Sequence, residues 1–467
     1  MLKRLLLILP LPLSMILVLP CKALVQRKDA PRDPAYALLE SLQEDVIRLG
    51  SPRQREIYKN IKNNQELVRK LAEDLEKRDN ASKGEATVTA KDANLIQRKL
   101  MSLKLPTKYE DPAAYFILFE KITQVEEAIK ELKLPLATQP KFGTLPTAEI
   151  NALKVPVPKS EDNLVILHTQ TFSFNHEMTK AILPTIGIEL GDGKSYSFNT
   201  SAESALQIIR SKPAIRVYFL QNLLDFLMIG VPAQHTFTDQ TYDPFLVELV
   251  SAMELFQVGH EYGHVIRQHP ASGTNKLQLV PDSNGKSSSV VVSVINRSWT
   301  NELEADSLGF KIMVQAQKKN PNSLRVYAMT GAIFFLACMD ILERAEYVLE
   351  HGKERPPLTE AEQASVLEII KSTPKNQKNV EANPQSITRY TNPVFMNSHP
   401  PTQLRALLIA EEFREELSKM KVERHEAQVA RLAPTLLQNI ELLWKECLPD
   451  LIKVHQMIKE RRGSTQK

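Results

Sequence analysis

The chain has 467 residues, 43% hydrophobic and 24% charged, a balance that can bury a core and excludes a disordered, collagen-like or disulfide-framework protein. Glycine is scarce at 15 and proline plentiful at 29, with aromatics at 6%, which favours helices joined by proline-marked loops over a glycine-turned sandwich. Lys and Arg number 59 against 55 Asp and Glu, and without Lys3, Arg4 and Lys22 the count is 56 against 55, a neutrality that gives nucleic acid nothing to bind.

Met1-Leu2-Lys3-Arg4 is a positive start, residues 5–19 are uncharged, and Cys21-Lys22-Ala23 is a tolerable small-x-small cleavage site. The pattern predicts a signal peptide over residues 1–23 and export to a periplasmic or extracellular location. The stretch falls short of the ~20 apolar residues of a spanning helix, and Pro10, Pro12 and Pro20 would break one. Lipidation at Cys21, or retention as an anchor that associates the protein with a membrane through its N-terminus, stays open. Cys338 and Cys447 are the other cysteines. They are too few for a thiolate zinc site, and their pairing cannot be argued from spacing.

Residues 24–133 read as a helical N-terminal region, with apolar residues at three-to-four spacing over 34–59, 64–77, 94–103 and 111–132. No chemistry-bearing cluster lies in it, so it is expected to be a helical cap or interaction arm. Pro135, Pro140, Pro146, Pro156 and Pro158 mark 134–160 as a stiff linker. Strands are predicted at 164–167 and 186–190, with a turn at Gly191-Asp192-Gly193. Helices follow at about 201–211, 214–229, 244–269, 299–318, 323–349, 359–371, 400–420 and 433–459, the one at 359 opening on a Thr-x-x-Glu capping box. Residues 326–339 are too short to span a bilayer and suit a buried core helix. A motif-bearing domain over 161–420 and a C-terminal helical extension over 421–467 complete the division. The expected fold is mainly α, of the α+β class.

The chemistry concentrates in three motifs. In His260-Glu261-Tyr262-Gly263-His264 the histidines are four apart, so on a helix their imidazoles share a face, with Cβ atoms about 5–6 Å apart, and can reach one ion. Glu261 can reach water at that ion rather than the ion itself. Leu246, Leu249, Val250, Met253 and Phe256 form an apolar stripe leading to the motif. Gly263 is a poor helix former that calls for a reason, such as the close approach of another backbone or of substrate. Glu302-Leu303-Glu304-Ala305-Asp306 begins 38 residues after His264. Two histidines need a third protein ligand, and Glu302 is a suitable carboxylate. Asp306, one turn on, can orient a ligand imidazole, and Ala305 and Gly309 are small enough to let two helices close on one ion. In His399-Pro400-Pro401-Thr402-Gln403-Leu404-Arg405 the prolines predict a helix start, with His399 at its N-terminus and Arg405 inside it. Both suit a developing negative charge.

HExxH, then ExxAD with a following glycine, then HPxxxxR, in that order over roughly residues 160–420, resemble the gluzincin metallopeptidases of the CAAX prenyl protease, HtpX and Oma1 type. The resemblance implies a helical metallopeptidase domain with a small β-sheet beside the HExxH helix. It also implies one Zn2+ per chain on His260, His264 and Glu302, Glu261 as the catalytic carboxylate, and Asp306 behind the ligands. His399 and Arg405 match the family's later active-site motif, His399 either as a donor to the oxyanion or as an inhibitory metal ligand. Three departures stand out: a Ser/Val-rich insertion at 276–294, no run of membrane spans before His260, and an N-terminal helical block with no counterpart in the family. His269 falls about 140° from His264 on a continued helix and so off the ligand face. His176-Glu177 and His425-Glu426 lack a second histidine, and Tyr262 and Trp299 are expected to pack. The reading is an exported zinc endopeptidase acting on protein or peptide substrates, without nucleic acid. A protease-derived chaperone or scaffold that keeps the zinc site, and a non-peptidase zinc hydrolase, are the alternatives.

Overall fold

The computed structural model describes residues 33–50, 102–190, 196–230, 242–269, 273–278, 289–294, 299–320, 322–356, 400–420 and 431–464, with positions 99 and 364. The leader, the helix expected at 64–77, the capping box at Thr359 and the residue His399 lie outside the described residues.

Two helices start on the same device. Asp33 precedes Pro34 in α1 (Pro34–Leu49), and Asp111 precedes Pro112 in α2 (Pro112–Glu131). The Asp33 side chain accepts from the Ala35 N–H at 3.0 Å, and that of Asp111 from Ala113 and Ala114 at 2.9 Å. Proline fills a first-turn position whose N–H has no helical partner anyway.

Residues 134–160, expected to be a linker, carry two strands instead. β1 (Lys141–Leu145) and β2 (Ala152–Pro156) flank β3 (Asn163–His168) in the order β1-β3-β2, β1 parallel and β2 antiparallel to the centre. The prolines sit at strand ends: Pro140 and Pro146 bracket β1, and Pro156 closes the outer strand β2, where a missing N–H removes little from the ladder. Alternation then sorts the side chains. Leu164 and Ile166 of β3 pack with Leu153 and Val155 of β2 under α1, while Val165 and Leu167 enter the main core on the other face. Lys154, between Leu153 and Val155, is thereby turned to the main-core side.

The chain continues as α3 (Thr169–Ile182), the hairpin β4 (Gly187–Leu190) and β5 (Tyr196–Asn199), then α4 (Ala202–Ser211) and α5 (Pro213–Leu224). The HExxH motif lies on α6 (Asp243–Ile266). β6 (Gly273–Gln278) and β7 (Ser289–Val294) pair antiparallel, β7 and the second half of β6 falling in the Ser/Val-rich insertion. After it come α7 (Trp299–Ala316), α8 (Asn322–His351), α9 (Thr402–Lys419) and α10 (Leu432–Ser464). The fold is mainly helical with a small mixed sheet beside α6, as expected.

α6 is the axis of the packing. Ala252, Leu255, Phe256 and Val258 share one core cluster with residues of α2, α7 and α8, whereas Leu246, Leu249, Val250 and Met253 share a second with residues of α3, α5, α8 and α10. A helix apolar all round belongs inside. α2 is part of this core through Phe116, Ile117, Val125 and Ile129, so this part of the N-terminal region packs into the body that carries the motifs. Two polar pins set its register on α6. The fully buried Lys121 donates to Ser251 Oγ at 2.6 Å and pairs with Glu254 at 3.3 Å, and Tyr262 Oη donates to Glu126 at 2.7 Å. α8 is long and apolar enough by composition to cross a membrane, but 78% of its apolar window is buried in the protein. It is the core helix the sequence predicts.

Candidate metal centre

α6 and α7 cross backbone to backbone. A Cβ on Gly259 would stand 3.0 Å from the Gly309 carbonyl oxygen, and one on Gly263 would stand 2.9 Å from Ala305 Cα. Any side chain at either point would force the helices apart, which accounts for a glycine that costs a helix about 1 kcal/mol. The small residues of both motifs thus serve one purpose: Glu302, one turn before Ala305, is carried up to the two histidines.

The three proposed ligand side chains meet. His260 Nε2 lies 3.1 Å from His264 Nε2 and 3.5 Å from Glu302 Oε2, and His264 Nε2 lies 3.6 Å from Glu302 Oε1. An ion bound tetrahedrally at about 2.0–2.1 Å needs ligand atoms about 3.3–3.4 Å apart; the two imidazole nitrogens are near that separation, and Glu302 turns one oxygen to each histidine. His260, His264 and Glu302 are all buried, and together they can hold a metal ion. Glu261 is also buried, with Oε1 4.0 Å from His260 Nε2. It stands beside the ligand set rather than within it.

Each histidine is held from behind, by different chemistry. His260 Nδ1 is 2.8 Å from Asp306 Oδ1, and Arg405 grips Asp306 with two bonds of 2.7 Å, Nε to Oδ2 and Nη2 to Oδ1. Arg405 comes from the first turn of α9, which starts after Pro400-Pro401 as predicted; the Leu404 N–H donates to the Pro401 carbonyl at 2.9 Å. It acts here on Asp306. Burial would push the Asp306 carboxyl up, but Arg405 and His260 outweigh it and hold it below the usual range.

His269 is where the structure departs from the helical projection. α6 stops at Ile266, Gln268 takes a left-handed φ of 54°, and the Gln268 and His269 N–H groups turn back to the Val265 and His264 carbonyls at 3.1 Å each. This is a Schellman turn, which brings the second residue past the cap back onto the last helical turn. His269 Nδ1 therefore lies 2.8 Å from His264 Nδ1, and its Nε2 3.4 Å from Glu304 Oε2. The signal was present in Pro270, since proline commonly follows such a turn. Lys154 is the other residue the sequence did not flag. Its buried ammonium reaches the carbonyl oxygens of His269 at 3.2 Å and His264 at 3.5 Å. Burial depresses its pKa, and the Glu261 carboxylate works the other way.

The two histidines differ in their electrostatics. Burial disfavours charge on His260, yet Asp306 and Glu302 prevail and raise its pKa to about 10; burial drives that of His264 well below normal. With Nε2 of each histidine turned to the shared point, Nδ1 is the nitrogen left to carry a proton, facing Asp306 on His260 and His269 on His264. Elsewhere, His176 pairs with its neighbour Glu177 at 3.0 Å, and Tyr262 packs, as expected. No protein-family model, curated protein or solved structure matches this chain.

Proposed function

We propose that the protein is a zinc-dependent endopeptidase with His260, His264 and Glu302 as metal ligands and Glu261 as the proton carrier. The carrying observation is that two imidazole nitrogens and one carboxylate converge in a buried group that can hold a metal ion, with a second buried carboxylate just outside. Three protein ligands of this kind are the donor set of catalytic zinc, whose fourth position serves the chemistry. When bound, zinc would supply Lewis acidity to a water and to the carbonyl under attack. Glu261 then accepts a proton from the attacking water and returns it to the departing amine as the C–N bond breaks. Asp306 and Arg405 keep His260 in the tautomer that turns Nε2 to the ion. The ordered resemblance to the CAAX prenyl protease, HtpX and Oma1 type supports the same chemistry.

Among the described residues, no strand is hydrogen-bonded to the outer edge of β2, although β7 packs nearby. β2 touches α6 through Lys154, so an extended peptide added to that edge would run past the ligands. Casein is the direct test substrate. Cleavage is expected to stop with a zinc chelator and to return with one equivalent of zinc. Cleavage indifferent to chelation, or none at any zinc level, would overturn the assignment.

A further inference from the structure

We propose that Lys154 is a positioning residue for His264: it clamps the turn that ends α6 and so holds His269 against His264 Nδ1, the nitrogen that carries the proton when Nε2 takes a metal. The inference rests on the zinc-site reading above. The Schellman turn is not self-sufficient. Its left-handed position is Gln268 rather than glycine, a conformation costing an ordinary residue roughly 1–2 kcal/mol, so something outside the turn must hold it. Lys154 is placed to do so. Its Nζ bridges the carbonyls of the two residues whose imidazoles pair, closing a ring through Lys154, the His264 backbone, the two rings and the His269 backbone. A cation at a helix C-terminus is favourable in itself, and the last carbonyls are the groups a helix leaves unpaired.

The two ligands thereby differ in a way that matters. Asp306 is on the neighbouring helix α7 and locked by Arg405. Among the described residues, the charged group bonded to the His269 ring is Glu304, whose side chain is one-third exposed. Its position depends on the turn, and the turn on a lysine from the sheet. β2 therefore carries both the edge on which an extended peptide would be added and the residue that sets a ligand. Strand and metal are one mechanical unit.

The test compares zinc affinity, by competition with a chelator, for wild type, Lys154→Met, His269→Ala, His269→Asn and the double variant Lys154→Met/His269→Ala. Loss of a group behind a ligand typically costs ~10–100-fold in metal affinity, and that loss is expected for Lys154→Met and His269→Ala. His269→Asn should stay near wild type, because its amide oxygen occupies the place of Nδ1. The double variant should be no worse than the weaker single variant, since Lys154 acts through His269. In zinc-loaded, nitrogen-15-histidine-labelled protein the His264 Nδ1–H should exchange slowly with solvent, and Lys154→Met should speed that exchange while leaving the exchange of the α8 core amides unchanged, which a general loss of stability would not do. Additive losses, or wild-type affinity in either single variant, would overturn the clamp. If Lys154→Met does not fold, Lys154→Gln and the His269 pair decide by the same criteria. None of these readouts requires proteolysis, so a zinc-binding protein that cleaves nothing would sink the peptidase reading and leave the clamp standing.

Discussion

Gly309→Ala should cost the metal site more than it costs the fold. A Cβ at Gly309 would lie 2.7 Å from the His260 amide nitrogen and 3.0 Å from its Cα, where an ordinary contact begins at 3.4 Å. The shortfall is about 0.7 Å, and both contacts are backbone, so α7 as a whole must retreat from α6. Alanine gains about 1 kcal/mol of helix propensity over glycine, and overpacking costs roughly 1–3 kcal/mol. The net change is a destabilisation of no more than about 2 kcal/mol, and the protein stays folded. Glu302 rides on α7, however, and coordination tolerates displacements of only about 0.2 Å. The expected loss of zinc affinity is therefore at least tenfold and on the order of 100-fold. Chelator competition with thermal melts in excess chelator separates the two effects. Gly331→Ala is the control: its Cβ would meet Ala252 at 2.5 Å, two turns before the ligands, so it should lower stability without a comparable loss of affinity. Wild-type zinc affinity in Gly309→Ala would refute the claim that small residues set the ligand distance.

Glu302→Ala should bind zinc far more weakly than wild type, as metal analysis after dialysis would show; equal retention would remove Glu302 from the ligand set. Lys121→Met leaves the buried Glu254 and Glu248 carboxyls without their ammonium and should cost roughly 3–5 kcal/mol in denaturant unfolding, most of it regained with Glu254→Leu added. Burial pushes the Glu110 carboxyl up from 4.5 to about 8 against its bonds to Thr144 and Gln43. The folded state then holds a proton that the unfolded chain releases, so stability is greatest below the unfolded value and falls as pH rises toward 8. The effect has an upper bound of roughly 5 kcal/mol. Glu110→Gln should flatten that slope in pH-dependent melts, and an unchanged slope would show that other groups set it.

The ligand set was legible because its signals are local. Four-residue spacing puts His260 with His264, and Glu302 with Asp306, on single helical faces, and Gly263 asked for the backbone approach that Ala305 makes. The sheet was half legible. Leu-Val-Ile-Leu at 164–167 is apolar on both faces, as a central strand must be, but β1 and β2 owe their extended state to pairing with it. Their prolines, read alone, signal a linker. His269 was misplaced because the helical period was carried three residues past the end of α6 at Ile266. Lys154 gave no signal at all: a lone lysine in a short apolar run acquires meaning only when β2 is laid against α6.

Zinc counted per chain and casein cleavage, measured side by side on wild type and Glu261→Gln, test the central claim most directly. Glutamine keeps the shape of the side chain and removes its basicity, so both proteins should hold one zinc on His260, His264 and Glu302 and only wild type should cleave. Undiminished cleavage by Glu261→Gln with its zinc in place would contradict the account.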